Sequence, residues 1–411
     1  MPETPQSLNP ECAQIVAAVD QGFGEARALA HWMAAHPELA LEEREASARY
    51  VSWLEARGFS VQRGIAGMET AFLARRGSLQ APLRAVLLAE MDALPGIGHA
   101  CGHNLSGPAS LLAAHALAAT LPPDALQLTV AGAPAEEIGV GKRRLVEAGV
   151  FDDTHVAMMA HASDMRRAHR LFLGNHKFEF VYHGRASHAA AYPEQGLNAL
   201  DGVVQLFVAI GGLRQQLPRT ARIHGIVSDG GRAPNVIPER AAARVWVRAL
   251  DDATLGATSL RVVACAQGAA EATGTRLEVL RAEAESPAMR PNLALAGVYR
   301  LQLERLGLRE TSHPPDASIG SSDITHVSQV VPTIHPNFPI VREGGRLELH
   351  TRAFADATIG PEGDAGLREA ARSLALTLRE LARSENLRAE VADEHRRALG
   401  RWPDSSNPST L

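Results

Sequence analysis

Residues 84–104 read RAVLLAEMDALPGIGHACGHN, a short apolar run followed by a loop that carries glycine, cysteine and histidine. The run at 84–89 is apolar and bounded by turn residues, which is typical of a buried strand. Similar runs lie at 70–75, 126–132 and 155–160, and helical stretches lie around 106–119 and 141–148. The alternation of strands and helices predicts an α/β fold with a mostly parallel sheet flanked by helices.

A different order of elements begins near residue 172. The pattern predicts, in turn, a strand at 176–183, a helix at 196–213, strands at 222–228 and 240–249, a helix at 254–273 and a strand at 275–282. This βαββαβ order is typical of a compact α+β unit. We therefore expect one discontinuous domain over residues 1–172 and 286–411, with a second domain inserted over 173–285.

The composition excludes several classes of protein. Of the 411 residues, 45% are hydrophobic and 21% are charged, and the net charge of −5 does not favour nucleic acid or an anionic membrane as a partner. Three cysteines are too few and too scattered for a disulfide framework, which favours a reducing compartment. The first residues lack the basic and apolar segments of a signal peptide, and we see no apolar stretch of about 18 residues that would cross a membrane. We therefore expect a cytoplasmic protein.

Potential metal ligands follow several of the predicted strands. Cys101 and His103 lie in the loop after the strand at 84–89, Glu136 and Glu137 follow the strand at 126–132, and His161 ends the run at 155–160. His350 lies after a glycine-bearing loop near the end of the chain. Open α/β sheets bind ligands beyond the carboxyl ends of their strands. Each residue alone has an ordinary structural explanation, but together they predict a metal site. Thiolate, imidazole and carboxylate ligands suit manganese, zinc, cobalt or nickel.

The motifs around these residues resemble, in order, those of the M20 metallopeptidases and amidohydrolases. The similarity is strongest to the branch with aminoacylase-like, auxin-conjugate and p-aminobenzoyl-glutamate hydrolases, and it covers nearly the whole chain. The motifs are His36-Pro37-Glu38-Leu39, Met91-Asp92-Ala93-Leu94-Pro95, His99-Ala100-Cys101-Gly102-His103, Glu136-Glu137, Ala186-Ser187-His188-Ala189-Ala190, Asn235-Val236-Ile237-Pro238, Ser321-Ser322-Asp323 and His350.

The resemblance implies a role for each domain and for each motif. The discontinuous domain would be catalytic and hold two divalent metal ions through Cys101, His103, Glu137, His161 and His350. Glu136 would be the general acid and base, and Asn235 would bind the polar or carboxylate end of the substrate. His188, on an inserted lid and dimerisation domain, would reach the developing oxyanion from its own subunit or from the partner of a homodimer. Mn²⁺ or Zn²⁺ is the expected metal, with Co²⁺ or Ni²⁺ as alternatives.

The function that the resemblance implies is metal-dependent hydrolysis of an amide C–N bond. The substrate would be a small N-acyl amino acid, a dipeptide or an aminobenzoyl-glutamate-like compound, attacked by a metal-activated water. One alternative is hydrolytic deamination of an activated aryl amine at the same metals. Another is a thiol amidase with Cys101 as nucleophile and His103 as base. A third, of another class, is a catalytically silent binding or scaffold protein on the same fold.

Three departures from the family pattern affect these expectations. Asn104 follows His103, where many relatives have aspartate, and this lowers the negative charge beside the metals. Glu90-Met91-Asp92 stands where other branches have His-x-Asp, so we expect these acids to orient ligands rather than bind metal. Ile324-Thr325-His326 replaces a frequent Gly-Asp or Gly-Asn pair, which predicts an altered substrate loop.

Overall fold

The structure is a computed structural model that describes residues 9–281, 285–312 and 320–401. Its helices are α1 (Pro10–Ala35), α2 (Arg44–Glu55), α3 (His103–Thr120), α4 (Gly141–Glu147), α5 (Ala199–Arg214), α6 (Asp252–Thr273), α7 (Leu293–Arg305), α8 (Ile324–Val330), α9 (Arg352–Ala357), α10 (Pro361–Arg383) and α11 (Glu385–Arg401). Its strands are β1 (Ser60–Arg63), β2 (Phe72–Arg76), β3 (Leu83–Glu90), β4 (Leu126–Ala133), β5 (Val156–Met158), β6 (His161–Ser163), β7 (Gly174–His183), β8 (Arg222–Asp229), β9 (Arg240–Ala249), β10 (Arg276–Arg281), β11 (Thr333–Ile334) and β12 (Asn337–Pro339).

A six-stranded sheet in the order β1-β2-β4-β3-β5-β11 forms the centre of the first part of the molecule. The strands β4, β3, β5 and β11 run parallel, whereas β1 and β2 are antiparallel to their neighbours. Both β3 and β4 are buried along almost their whole length, as expected for parallel strands covered on both faces. Helix α3 packs on β3 and against α1 and α10. The predicted fold class, an α/β layer with a mostly parallel sheet, is confirmed.

His161 does not close the strand that precedes it, so that prediction was wrong. Strand β5 ends at Met158, and His161 instead begins β6, which pairs with β12. The segment that pairs with β5 and β6 is itself interrupted at Pro336. Proline has no N–H to donate, so it cannot continue the hydrogen-bond ladder from β11 into β12. The break leaves His161 at the start of a second, two-stranded sheet, with its N–H bonded to the Pro336 carbonyl at 2.9 Å.

The inserted part of the chain has the element order β7-α5-β8-β9-α6-β10, which confirms the predicted βαββαβ pattern. Its four strands form an antiparallel sheet in the order β10-β7-β9-β8. Helices α5 and α6 pack on this sheet and on each other. Phe180, Tyr182, Val203, Val245 and Val262 lie in its hydrophobic core, which is separate from that of the first part.

The contacts divide the chain into two units. Of the described residues, 9–171, 290–312 and 322–400 belong to one unit, and 172–281, 285–289, 320–321 and 401 belong to the other. That the two units are separate catalytic and lid domains with the predicted boundaries stays a prediction. Within the described ranges, no helix combines the length and the apolar composition of a membrane span.

Two glycines in helices test how tightly the first unit is packed. A Cβ on Gly107 of α3 would lie 2.0 Å from the Tyr50 hydroxyl and 2.5 Å from the Glu90 carbonyl oxygen. We expect Gly107→Ala to lower the free energy of unfolding by about 1–3 kcal/mol, because the core must shift to accommodate the methyl group. Urea denaturation of the purified variant measures this change.

Gly297 of α7 provides the matched control. Apart from its chain neighbours and the backbone of its own helix, no described heavy atom lies within 4 Å of the position that its Cβ would take. Gly297→Ala should therefore leave the free energy of unfolding unchanged or raise it by up to about 1 kcal/mol, through helix propensity. Equal losses in the two variants would contradict close packing at Gly107.

Candidate metal centre

Gly102 places Cys101 and His103 at the start of α3. Its φ of 86° lies in the left-handed region, and a Cβ on it would be 2.6 Å from the Ala162 Cβ of β6. Glycine is therefore required both by the backbone conformation and by the close approach of the two elements. His103 is the first residue of α3 rather than part of a loop, which corrects the sequence expectation. Both side chains are buried.

Asp92, just beyond β3, orients two of the proposed ligands. Its backbone carbonyl accepts a hydrogen bond from His103 Nδ1 at 2.8 Å, and its carboxylate oxygen Oδ1 lies 3.1 Å from the same nitrogen. The other carboxylate oxygen accepts from the Glu137 backbone N–H at 2.9 Å. In the neutral form of His103, donation from Nδ1 to the carbonyl would leave the lone pair on Nε2, which could then bind a metal. These contacts support the predicted orienting role of Asp92.

His161, like His103, has its Nε2 available to bind a metal. Its Nδ1 donates to the Ala162 carbonyl at 2.8 Å, and its Nε2 lies 3.5 Å from Cys101 Sγ. Burial lowers the pKa of His161 to about 4. The imidazole is therefore neutral at physiological pH, which is the form that binds metals.

The two acids occupy a strained turn after β4. Ala135, immediately before Glu136, has a φ of 60°, which is unusual for a residue other than glycine. Its N–H donates at 2.9 Å to the carboxylate of Glu43, which is fully buried and also accepts from the Thr70 hydroxyl at 2.9 Å. Glu43 thus holds the turn that aims Glu136 and Glu137. Sequence reasoning missed it, because it lies in a run of acids that is typical of a solvated helix start.

His350 reaches the site from the segment before α9. Its backbone φ is 62°, and its N–H donates to the Ala100 carbonyl at 3.0 Å, next to Cys101. Its Nε2 lies 3.9 Å from Glu137 Oε2. The side chain is 56% exposed, so this proposed ligand lies on the open side of the site.

Several groups of donor atoms lie in the site, and two of these groups share one residue. Cys101, His103 and His161 form one group, and Cys101, Glu137 and His350 form the other; within each group the atoms lie within 4.8 Å of one another. If each group held an ion, Cys101 would be a ligand in both. This arrangement brings together all five residues that the sequence predicted as ligands, although their binding of metal stays a prediction.

The chemistry of this donor set fits divalent metal ions. Among the described residues, His103 Nε2 and Glu137 Oε1 are buried polar atoms with no hydrogen-bond partner, and such atoms are costly to bury unless something binds them. Burial raises the pKa of the Cys101 thiol to about 12. The thiolate that binds a metal would therefore require cations beside it.

Glu136 lies next to this donor set. Its Oε2 is 3.9 Å from His103 Nε2, and the side chain is 12% exposed. Burial, followed by the nearby Glu90 carboxylate, raises the pKa of Glu136 to about 8. A carboxyl group in such a position can both accept and release a proton near neutral pH.

Further buried charges surround Glu136, and sequence reasoning missed their role. Lys142 Nζ lies 2.6 Å from Glu90 Oε1 and also pairs with Asp323, and all three side chains are shielded from solvent. The buried ring of His335 packs against that of His161 at a centroid distance of 5.2 Å. A lone lysine in a basic helix and a histidine beside a proline carry no signal in sequence that could have revealed these positions.

His188 and Asn235 lie in the other unit and are neighbours there. The Ala189 N–H donates to the Asn235 carbonyl at 3.0 Å, and His188 pairs with Val236 in an antiparallel bridge. Nδ1 of His188 accepts from the N–H groups of Ala190 and Ala191 at 3.3 and 3.2 Å. Its proton therefore resides on Nε2, and the exposed ring presents an N–H donor.

Known proteins resemble the chain over most of its length. Residues 173–273 match the M20 family model of the peptidase dimerisation domain. The mouse Xaa-Arg dipeptidase is 35% identical over 374 residues, which cover 87% of this chain and 86% of that protein. One of the subunits of the p-aminobenzoyl-glutamate hydrolase of Escherichia coli is 31% identical over 323 residues, which cover 74% of this chain and 65% of that subunit.

A solved structure supports the fold. A dinuclear metal-binding peptidase of the M20 family from Bacillus subtilis aligns with a TM-score of 0.71 and 21% identity, covering 88% of this chain and 99% of that one. The identity and coverage of the mouse relative, the match to the dimerisation domain and the shared fold agree with the donor set described above. The chain therefore belongs to the M20 family of metallopeptidases and amidohydrolases and is a metal-dependent hydrolase of amide bonds.

Proposed function

We propose that the chain binds two divalent metal ions and hydrolyses the amide bond of small dipeptides or N-acyl amino acids. The observation that carries this proposal is the pair of donor groups that share Cys101, with Glu136 beside them. One ion would bind Cys101, His103 and His161, and the other would bind Cys101, Glu137 and His350. Mn²⁺ and Zn²⁺ suit this mixture of thiolate, imidazole and carboxylate.

The side chains of the site divide the reaction between them. When bound, the metal ions supply Lewis acidity and lower the pKa of water. Glu136 takes the proton of the attacking water and passes it to the amine nitrogen, which leaves poorly unless it is protonated. His188 donates a hydrogen bond from its Nε2–H to the carbonyl oxygen as negative charge develops there, and Asn235 binds the polar end of the substrate. His188 would come either from the same subunit as the metal ligands or from the partner subunit of a dimer.

The similar proteins suggest which substrates to try first. The mouse and human relatives are Xaa-Arg dipeptidases, and the bacterial relatives include p-aminobenzoyl-glutamate hydrolases and an indole-3-acetyl-aspartic acid hydrolase. Each of these relatives is named for a substrate in which an amino acid forms one half of the amide. We therefore propose that the amine half of the substrate is an amino acid. Dipeptides that end in arginine are the first substrates to test.

We also propose that the chain forms a homodimer through the inserted unit. The match to a peptidase dimerisation domain lies within this unit. Strand β8 is at the edge of its sheet, where backbone groups lack a neighbouring strand. Ile226 and Val227 of β8 and Val204 and Val208 of α5 are exposed apolar side chains. Apolar residues on an open edge favour pairing with a second copy.

The role of Glu136 is tested by a variant that keeps its shape. We expect Glu136→Gln to lower kcat by roughly 100-fold or more on a panel of dipeptides, N-acyl amino acids and p-aminobenzoyl-glutamate, because the amide cannot move the proton. Metal content, measured by elemental analysis, should remain at two ions per chain. Glu147→Gln, on the exposed face of α4, is the control. Full activity of Glu136→Gln would exclude Glu136 as the acid and base.

The shared position of Cys101 makes a separate prediction about metal stoichiometry. Cys101→Ala should weaken both ion positions, whereas His350→Ala should weaken one, so that about one ion per chain remains in the latter. Elemental analysis after chelation and addition of Mn²⁺ or Zn²⁺ measures this difference. Cys265→Ser, outside the site, should bind as wild type does. Normal metal content in Cys101→Ala would contradict the shared ligand.

The dimer is tested by placing a charge on its proposed surface. Ile226→Lys combined with Val208→Asp should shift the mass measured by light scattering toward that of a monomer, because the buried apolar contact would have to hold charges. Leu79→Lys, at an exposed apolar residue of the first unit, is the control and should leave the mass unchanged. A wild-type protein that is monomeric at all concentrations would refute the dimer.

A further inference from the structure

A fully buried lysine lies beside the proposed general base and has no part in the reaction above. Lys142, the second residue of α4, is 0% exposed. Its Nζ lies 2.6 Å from Glu90 Oε1 at the end of β3, and it also pairs with Asp323 just before α8. The backbone N–H of Lys142 donates to the second carboxylate oxygen of Asp323 at 2.9 Å. One side chain thus joins three separate segments of the chain.

The two partners of Lys142 are the carboxylates that crowd Glu136. One oxygen each of Glu90, Glu136 and Asp323 lies within 4.8 Å of the others. Glu90 is 0% exposed and Asp323 is 1% exposed, so water screens their mutual repulsion poorly. Without a cation among them, the carboxylates of Glu90 and Asp323 would repel each other and the carboxylate of Glu136.

Lys142 is a permanent charge in this position. Burial alone would lower the pKa of Lys142, but Asp323 and Glu90 outweigh it and raise the pKa above its ordinary value. The ammonium group therefore remains charged throughout the range in which proteins function. It does not act as a base or a nucleophile, because both roles require the neutral amine.

The same contacts connect Lys142 to the metal ligands. Glu90 bonds Lys142 through Oε1 and approaches His103 Nε2 at 3.3 Å through Oε2. A displaced Glu90 would therefore disturb both His103 and Glu136, which itself lies 3.9 Å from His103 Nε2. The position of Glu90 depends on the cation that holds its other oxygen.

We propose that Lys142 is a positioning residue for Glu136, because its ammonium bridges Glu90 and Asp323 and so keeps Glu136 in the orientation from which it exchanges protons. This inference rests on the proposed function of Glu136. A buried ion pair that only stabilises the fold would make the same contacts, so the test must separate neutralisation of charge from packing.

Four variants make that separation: Lys142→Met, Asp323→Asn, the double variant of both, and Arg143→Met as a control that removes a cation from the same helix. For each we would measure kcat and KM on a substrate that wild type cleaves and Glu136→Gln does not, together with bound metal. Lys142→Met should lower kcat roughly 100-fold, with little change in KM or metal content. The double variant should recover part of that kcat, because Asp323→Asn removes one of the uncompensated charges. Arg143→Met should behave as wild type.

Stability of the metal-free proteins gives a reading that does not depend on turnover. Lys142→Met should lower the midpoint of thermal unfolding, and the double variant should unfold at a higher temperature than Lys142→Met. This order would hold even if wild type cleaved none of the substrates, in which case the proposed function would fail separately.

The inference is overturned if folded Lys142→Met keeps the kcat of wild type. It is also overturned if the double variant is no more active and no more stable than Lys142→Met, since the lysine would then matter only for packing. If Lys142→Met does not fold, Asp323→Asn decides the question. That variant leaves Lys142 paired with Glu90, and it should lower kcat with KM unchanged; an unaltered kcat would refute the positioning role.

Discussion

The hydrogen bonds of Asp92 hold together the elements on which the candidate centre depends. This residue follows β3, accepts from His103 at the start of α3, and accepts from the backbone of Glu137 beyond β4. A parallel sheet places the carboxyl ends of β3 and β4 side by side, but it does not determine the rotation of a ligand's side chain. Asp92 fixes that rotation for His103 and the path of the backbone at Glu137. The lone pair of His103 Nε2 and the carboxylate of Glu137 thereby face the same space.

The second constraint is that each acid buried around the site needs a compensating hydrogen bond or opposite charge. Glu43, Glu90, Asp92 and Asp323 are almost fully buried, and such groups are tolerated only where hydrogen bonds or opposite charges compensate them. Glu43 is compensated by N–H and hydroxyl donors, Asp92 by a backbone N–H and the neighbouring His103, and Glu90 and Asp323 by Lys142. Two of the four described residues other than glycine that have a positive φ, Ala135 and His350, lie in the same region. Backbone strain and buried charge thus occur together where the donors must converge, as is common at functional sites.

Much of the architecture could be predicted from sequence because it depends on local patterns. The apolar runs of β3 and β4 are typical of buried parallel strands, and the βαββαβ order of the inserted unit follows from successive periodicities. The break between β5 and β6 could not be predicted in this way. It depends on Pro336, which is remote in sequence and interrupts the neighbouring strand. Similarly, Glu43 gave no signal, because its partner Ala135 is 92 residues away.

The sequence by itself determined the types of candidate ligand and their order along the chain, including the Cys-Gly-His unit whose glycine permits the left-handed turn before α3. These features depend on residues that are neighbours in the chain, so their spacing carries the information. The tertiary structure alone decided that Cys101 belongs to both donor groups and that Lys142 is buried between two carboxylates. Lys142 and Asp323 are 181 positions apart, and a charge pairs with a partner at that separation only after the elements that carry them have packed.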